Sequence, residues 1–135
     1  MFCTKKGVIK KTPLEAFSRP RVNGINAITI KDDDQLLEVR MTNGNSMVLL
    51  GVKSGMAIRF EEEKVRAMGR SAAGVRGVKL KSDSDEVIGM VTIDKDDTEA
   101  SILVVSEKGY GKRTEVDAYR MTHRGGKGVT TINVT

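Results

Sequence analysis

The chain repeats itself, and this limits its possible folds more than any other feature. Three copies of one unit superpose on their glycines. Each opens on an apolar strand, turns at a glycine, and continues in a strand carrying basic residues. The first copy reads Met1-Phe2-Cys3, then Thr4-Lys5-Lys6-Gly7, then Val8-Ile9-Lys10-Lys11-Thr12. The second reads Met47-Val48-Leu49-Leu50, then Lys53-Ser54-Gly55, then Met56-Ala57-Ile58-Arg59-Phe60. The third reads Ile102-Leu103-Val104-Val105, then Ser106-Glu107-Lys108-Gly109, then Tyr110-Gly111-Lys112-Arg113-Thr114. A loop then leads each copy to a second glycine and an alternating segment, at 24–30, 74–80 and 128–134. The offsets Gly7 to Gly24, Gly55 to Gly74 and Gly109 to Gly128 are 17, 19 and 19 residues.

The unit reads as all-β. Its apolar positions alternate with period two and are rich in Val, Ile and Thr. Turn chemistry separates them, with glycine supplying positive φ at low steric cost. Acidic runs fall between strands, at Asp32-Asp33-Asp34, Asp83-Ser84-Asp85-Glu86 and Asp94-Lys95-Asp96-Asp97. A fourth strand follows two of them, at 36–39 and 87–90. Residues 61–68 could form one short helical turn. Four antiparallel strands per unit of about fifty residues describe a propeller-like blade. The units run 1–41, 42–97 and 98–135, and the third stops after its third strand, as in a piece of a longer array.

Charge is unevenly spread over the repeats. Residues 1–31 hold seven Lys/Arg against one acidic residue, while residues 81–100 hold two against seven. The whole carries +5. Basic segments set against acidic ones imply polarised surfaces. Superposing Gly24, Gly74 and Gly128 aligns three loops that all contain Arg: Ser18-Arg19-Pro20-Arg21-Val22-Asn23, Met68-Gly69-Arg70-Ser71-Ala72-Ala73 and Thr122-His123-Arg124-Gly125-Gly126-Lys127. Such a loop offers backbone N–H groups and a guanidinium together, which suits a phosphate. The expected contacts are Arg19, Arg21, Arg70, Arg124 and Lys127. A second tier is Lys5, Lys6, Lys10, Lys11, Arg59, Arg66, Arg76, Lys108, Lys112, Arg113 and Arg120. No basic helix, aromatic stacking pair or zinc spacing accompanies them. Phosphate contact without base contact means low sequence specificity and strong salt dependence. A basic rim facing an acidic protein partner is the competing reading.

Several sharper readings fail on their own requirements. Gly125-Gly126-Lys127-Gly128 lacks the spacing and the Ser/Thr of a phosphate-binding P-loop. The Asp runs lack the glycine and distal Glu of a calcium loop. Tyr110 and Tyr119 read as packing or rim residues, His123 as an exposed loop residue, and Cys3 as core. No stretch is long and apolar enough to span a membrane, no secretory leader is evident, and a single cysteine suits a reducing compartment.

The motifs resemble the C-terminal domain of the A subunits of DNA gyrases. The matches are Gly109-Tyr110-Gly111-Lys112-Arg113-Thr114, Val65-Arg66-Ala67-Met68-Gly69-Arg70 with Gly74-Val75-Arg76-Gly77, and Arg124-Gly125-Gly126-Lys127-Gly128. The last is similar to the final five positions of the family's box Gln-Arg-Arg-Gly-Gly-Lys-Gly. Thr122 and His123 replace its first two residues, as in a degenerate later copy with the true box upstream. The resemblance implies about three blades of a six-bladed β-pinwheel whose blades exchange strands. It implies duplex DNA wrapped on a basic outer rim, within a gyrase that introduces negative supercoils using ATP. It further implies an assembly of two A and two B subunits in the cytoplasm, associated with the nucleoid. ATP and Mg belong to the holoenzyme, and no cofactor or catalytic residue is expected in this chain. The related topoisomerase IV domain is the alternative within the resemblance.

Overall fold

The computed structural model describes residues 1–134. It contains ten strands: β1 (Phe2–Thr4), β2 (Val8–Lys10), β3 (Leu36–Val39), β4 (Ser46–Val52), β5 (Met56–Glu61), β6 (Val75–Arg76), β7 (Val87–Asp94), β8 (Ser101–Val105), β9 (Gly111–Glu115) and β10 (Val129–Thr130). Single 3-10 turns stand at Leu14–Phe17, Glu62–Lys64 and Val116–Ala118. The strands form two four-stranded antiparallel sheets, ordered β3-β1-β2-β6 and β10-β5-β4-β7, and a two-stranded hairpin, β8-β9.

The sheets do not respect the unit boundaries. Three strands of the first sheet come from the first unit, but its fourth, β6, follows Gly74 in the second. Likewise β10, which follows Gly128 in the third unit, completes the second sheet. The pairing registers are equivalent: Ile9 faces Val75, and Ala57 faces Val129. An irregularity recurs too, between Cys3 and Thr4 on β1 and between Gly51 and Val52 on β4. Each of these steps precedes its turn glycine by the same number of residues.

Donation of a strand by the next unit explains one departure from the sequence reading. Residues 24–30 alternate like 74–80 and 128–134, yet they form no strand. Their counterparts pair with the second strand of the preceding unit, and no such strand stands before this segment among the described residues. It leans on the following loop instead: the Thr29 N–H donates to the Ala72 carbonyl at 3.4 Å, and its hydroxyl to the Ser71 carbonyl at 2.6 Å.

The core lies between the two sheets. Cys3 and Ile9 from the first pack with Val48, Leu50, Ile58, Phe60, Val87 and Met90 from the second, joined by Val65 and Val78. Burying one such side chain contributes about 1.5–3 kcal/mol. Two smaller clusters tie the third unit on: Met47, Ile93 and Val116 in one, Leu49, Ala57 and Tyr119 in the other. The turn expected within 61–68 is the 3-10 turn Glu62–Lys64, whose Glu62 is buried. Burial pulls the Glu62 carboxyl up, but the Ser46 N–H, the Thr42 hydroxyl and nearby Lys11 outweigh it and hold it below the usual range.

Candidate nucleic-acid interface

The basic residues fall into two groups, those consumed in joining units and those left facing solvent. Lys11 and Arg59 each stand four residues past their turn glycine and reach the 3-10 turn of the next unit. The Lys11 ammonium donates to the Glu62 carbonyl at 3.1 Å and lies 3.8 Å from its carboxylate. The Arg59 guanidinium donates to the Tyr119 carbonyl at 2.9 Å and lies 3.6 Å from the Asp117 carboxylate. Lys10 is wholly buried, with its ammonium donating to the carbonyls of Ala27 and Arg70, each at 2.7 Å. It also lies 5.7 Å from the centre of the Phe2 ring. Burial lowers its pKa.

These contacts correct the sequence reading, which places Lys10, Lys11 and Arg59 among the phosphate contacts. Lys10 and Arg59 are buried and Lys11 is half-buried; their donors are aimed at carbonyls inside the protein. A charged donor on a carbonyl contributes about 1.5–3 kcal/mol to cohesion, so their role is to join units.

The loop arginines are partly engaged as well. Arg70 and Arg124 each precede the second glycine by four residues. Their guanidinium groups donate to carbonyls two residues past the preceding unit's glycine: Arg70 to Asn26 at 3.1 Å, Arg124 to Arg76 at 3.2 Å. The backbone repeats this latch. Lys79 N–H donates to the Gly126 carbonyl at 2.7 Å, matching the Thr29 bond to Ala72, and Gly125 N–H donates to the Gly77 carbonyl at 2.7 Å. Gly128 has φ of 80°, and a Cβ there would meet the Ala57 carbonyl oxygen. The Arg-Gly-Gly-Lys-Gly run thus spends its glycines on unit packing, while Lys127 and the other Arg124 donors stay available. In the first unit the equivalent position is Pro20, flanked by the exposed Arg19 and Arg21.

Arg19, Arg21, Arg66, Arg76, Lys108, Lys112, Arg113, Arg120 and Lys127 are exposed. Among the described residues none of them forms an ion pair. Lys5 and Lys6 are half-buried, and the Lys6 ammonium donates to the Asp83 carbonyl at 3.0 Å. The junction of the second and third units gathers Arg76, Arg124 and Lys127, with Lys79 added by its bond to Gly126. Lys79 escapes the sequence reading, which searches the loops before the glycines. Alternation past the glycines, where Thr29 and Lys79 hold equivalent positions, is the signal that could have found it. Lys31 is missed likewise; it lines a cavity of about 350 Å³ with Lys6, Asp34 and Arg76. Lys108, Lys112 and Arg113 collect on the third hairpin.

The remaining reactive side chains take no part. Burial pushes the Cys3 thiol up to about 12. Tyr119 is buried, with its hydroxyl bonded to that of Thr131. Tyr110 and His123 are exposed. Among the described residues no three His, Cys, Asp or Glu side chains gather to hold a cation.

A family model described as the DNA gyrase C-terminal domain, beta-propeller, matches residues 1–43, 47–94 and 100–135. The A subunit of DNA gyrase from Staphylococcus epidermidis is 46% identical over 135 residues, which are all of this chain and 15% of that protein. A solved C-terminal domain of DNA topoisomerase IV superposes with a TM-score of 0.88 at 30% identity, over 96% of this chain and 39% of that one. A solved DNA gyrase A C-terminal domain superposes with a TM-score of 0.80 at 27% identity, over 94% of this chain and 41% of that one.

Proposed function

We propose, since this chain belongs to the DNA gyrase C-terminal domain family, that its exposed basic residues grip the phosphate backbone of duplex DNA and hold it bent along successive units. The observation that carries this reading is the repeated latch. Arg70 and Arg124 occupy equivalent places at successive junctions, and Arg76, Lys79 and Lys127 surround the second with no carboxylate paired to them among the described residues. Exposed ammonium and guanidinium donors recurring beside successive latches match an evenly spaced polyanion. Base reading has no obvious instrument here. The described residues include no α-helix for a major groove, and the binding surface is loop and sheet edge. The contacts position DNA without specifying its sequence.

In this reading the chain is the DNA-wrapping part of the larger gyrase polypeptide, which works with B subunits and ATP to introduce negative supercoils into DNA in the cytoplasm. This chain spans 15% of the curated relative, and the reading assigns cleavage and ATP hydrolysis to other segments. The gyrase assignment rests on the matching family model and on the 46% identity to a gyrase A subunit over the whole chain.

The test is a fluorescence titration of duplexes of two lengths over a salt series. Steep salt dependence and tighter binding of the longer duplex are expected, because bending requires DNA long enough to cross several units. Binding that ignores both salt and length refutes the reading.

A further inference from the structure

We propose that Lys10 is the positioning residue of the first latch, its buried ammonium holding the Arg70 loop where a glycine amide holds the Arg124 loop at the second. The proposal rests on the phosphate grip proposed above, to which Arg70 belongs. The two latches match in one half. The guanidinium groups of Arg70 and Arg124 donate to the carbonyls of equivalent residues, Asn26 and Arg76. They differ in the other half. At the second junction the Gly125 N–H donates to the Gly77 carbonyl at 2.7 Å. Gly125 has φ of 88°, a conformation that favours glycine. At the first junction Ser71 stands in the place of Gly125, and Ala27 in that of Gly77. No described residue other than glycine has positive φ, and among the described residues no backbone N–H donates to the Ala27 carbonyl. The Lys10 ammonium takes that carbonyl instead, at 2.7 Å, and takes the Arg70 carbonyl with it.

The repeat explains why Lys10 is the residue within reach. Lys10 and Ile58 each stand three residues past their turn glycine. Ile58 is buried, and a Cβ at Gly126 would lie 3.7 Å from its Cδ1. A side chain from this position therefore runs beneath the loop in both units. Ile58 ends there in a methyl group, whereas Lys10 continues to an ammonium with no carboxylate paired to it among the described residues. A buried ammonium is costly unless its donors are used, and charged hydrogen bonds are about twice as strong as neutral ones. Two of them fix the Arg70 carbonyl against Ala27, and so fix the backbone from which the Arg70 guanidinium reaches out. Without them the loop becomes ordered only when DNA binds. The phosphates contacted, and hence the salt slope, stay the same. The ordering cost lowers affinity equally at every salt concentration.

The experiment compares Lys10→Ile, Ser71→Gly and the two together. The double variant transplants the design of the second junction, Ile58 with Gly125, into the first. One readout is trypsin cleavage after Arg70 relative to cleavage after Arg124 in the same folded chain, which tracks the open fraction of each loop. The other is the duplex titration over a salt series. Lys10→Ile is expected to raise cleavage after Arg70 and leave cleavage after Arg124 unchanged. A loop that is competent about one tenth of the time lowers apparent affinity about tenfold, here at every salt concentration and with the slope kept. Ser71→Gly alone should match the parent, and the double variant should return both readouts to the parent values. If Lys10 only adds general stability, Lys10→Ile lowers the urea midpoint but leaves the cleavage ratio and the affinity of the folded chain at parent values. That result overturns the proposal, as does a double variant that behaves like Lys10→Ile. Where Lys10→Ile does not fold, the double variant decides: recovered folding with the parent cleavage ratio supports the proposal, and failure to fold overturns it. A parent chain whose duplex binding ignores salt and length refutes the phosphate grip, and the cleavage ratio then judges the latch by itself.

Discussion

Replacing Arg21 and Lys127 by alanine in one protein, and Lys10 and Arg59 by methionine in another, removes two positive charges from each and takes the net charge from +5 to +3. If duplex binding followed net charge alone, the two proteins would behave alike. The structure divides them. Arg21 and Lys127 are exposed, while Lys10 and Arg59 are 0% and 8% exposed and already donate to carbonyls. Each phosphate contact adds about 0.9 to the slope of log affinity against log salt. The first pair should therefore lower the slope by about 1.8, and the second should leave it unchanged. Over a fourfold rise in salt, from about 50 to 200 mM, that difference changes the ratio of parent to variant affinity about tenfold. The assay is a fluorescence titration of a labelled duplex at several salt concentrations. It is run where circular dichroism shows the Lys10→Met/Arg59→Met protein folded, because losing charged bonds to carbonyls costs about 1.5–3 kcal/mol each. Equal loss of slope in both proteins would refute the assignment of buried cations to unit joining.

Gly128→Ala should destabilise more than Gly24→Ala in urea unfolding. Both residues have positive φ, costing alanine about 1–2 kcal/mol, but only at Gly128 does the new Cβ meet a carbonyl oxygen, that of Ala57. Cys3 should resist a thiol reagent at pH 8 in the folded protein and react once urea unfolds it. With its folded pKa raised from 9.0 to about 12, its contribution to stability is full below about pH 9 and is lost as pH rises toward 12. Thermal melts of Cys3→Ala should therefore decline less over that window. Glu62 has the opposite sign: its folded pKa is lowered from 4.5, so its contribution is present above that value and lost as pH falls below it. Glu62→Gln should flatten the acid limb of a pH-stability curve, at the cost of a lower plateau.

The strands of the three units are legible in the sequence because each is a short apolar alternation bounded by glycine, and local pattern suffices to define it. Residues 102–105 and 110–114, read as strands from the sequence, overlap β8 and β9. Partnership is less legible. Residues 24–30 carry as good a strand pattern as 74–80, but a strand needs a neighbour, and neighbours are assigned by exchange between units. The basic residues show the same limit. Lys11 and Arg59 hold equivalent places in the repeat, and each finds its partner in a 3-10 turn some fifty to sixty residues further on. Nothing within a few residues of Lys10 reveals that Ala27 and Arg70 will bring carbonyls to it. The glycine-rich run at 124–128 stands out in the sequence, but most of its glycines answer to packing, and the side chains left for a ligand are Arg124 and Lys127.

The exchanged strands also set a timetable for synthesis. When Val39 leaves the ribosome, three strands of the first sheet exist but the edge of β2 is bare. It stays bare until Arg76 emerges, 37 residues later by subtraction, a delay of about 2–7 s at roughly 5–20 residues per second. During that interval the nascent edge can pair with another emerging chain on the same message. Completion of each sheet therefore waits on translation of the next, and a stalled ribosome would leave behind an unguarded strand rather than a finished unit.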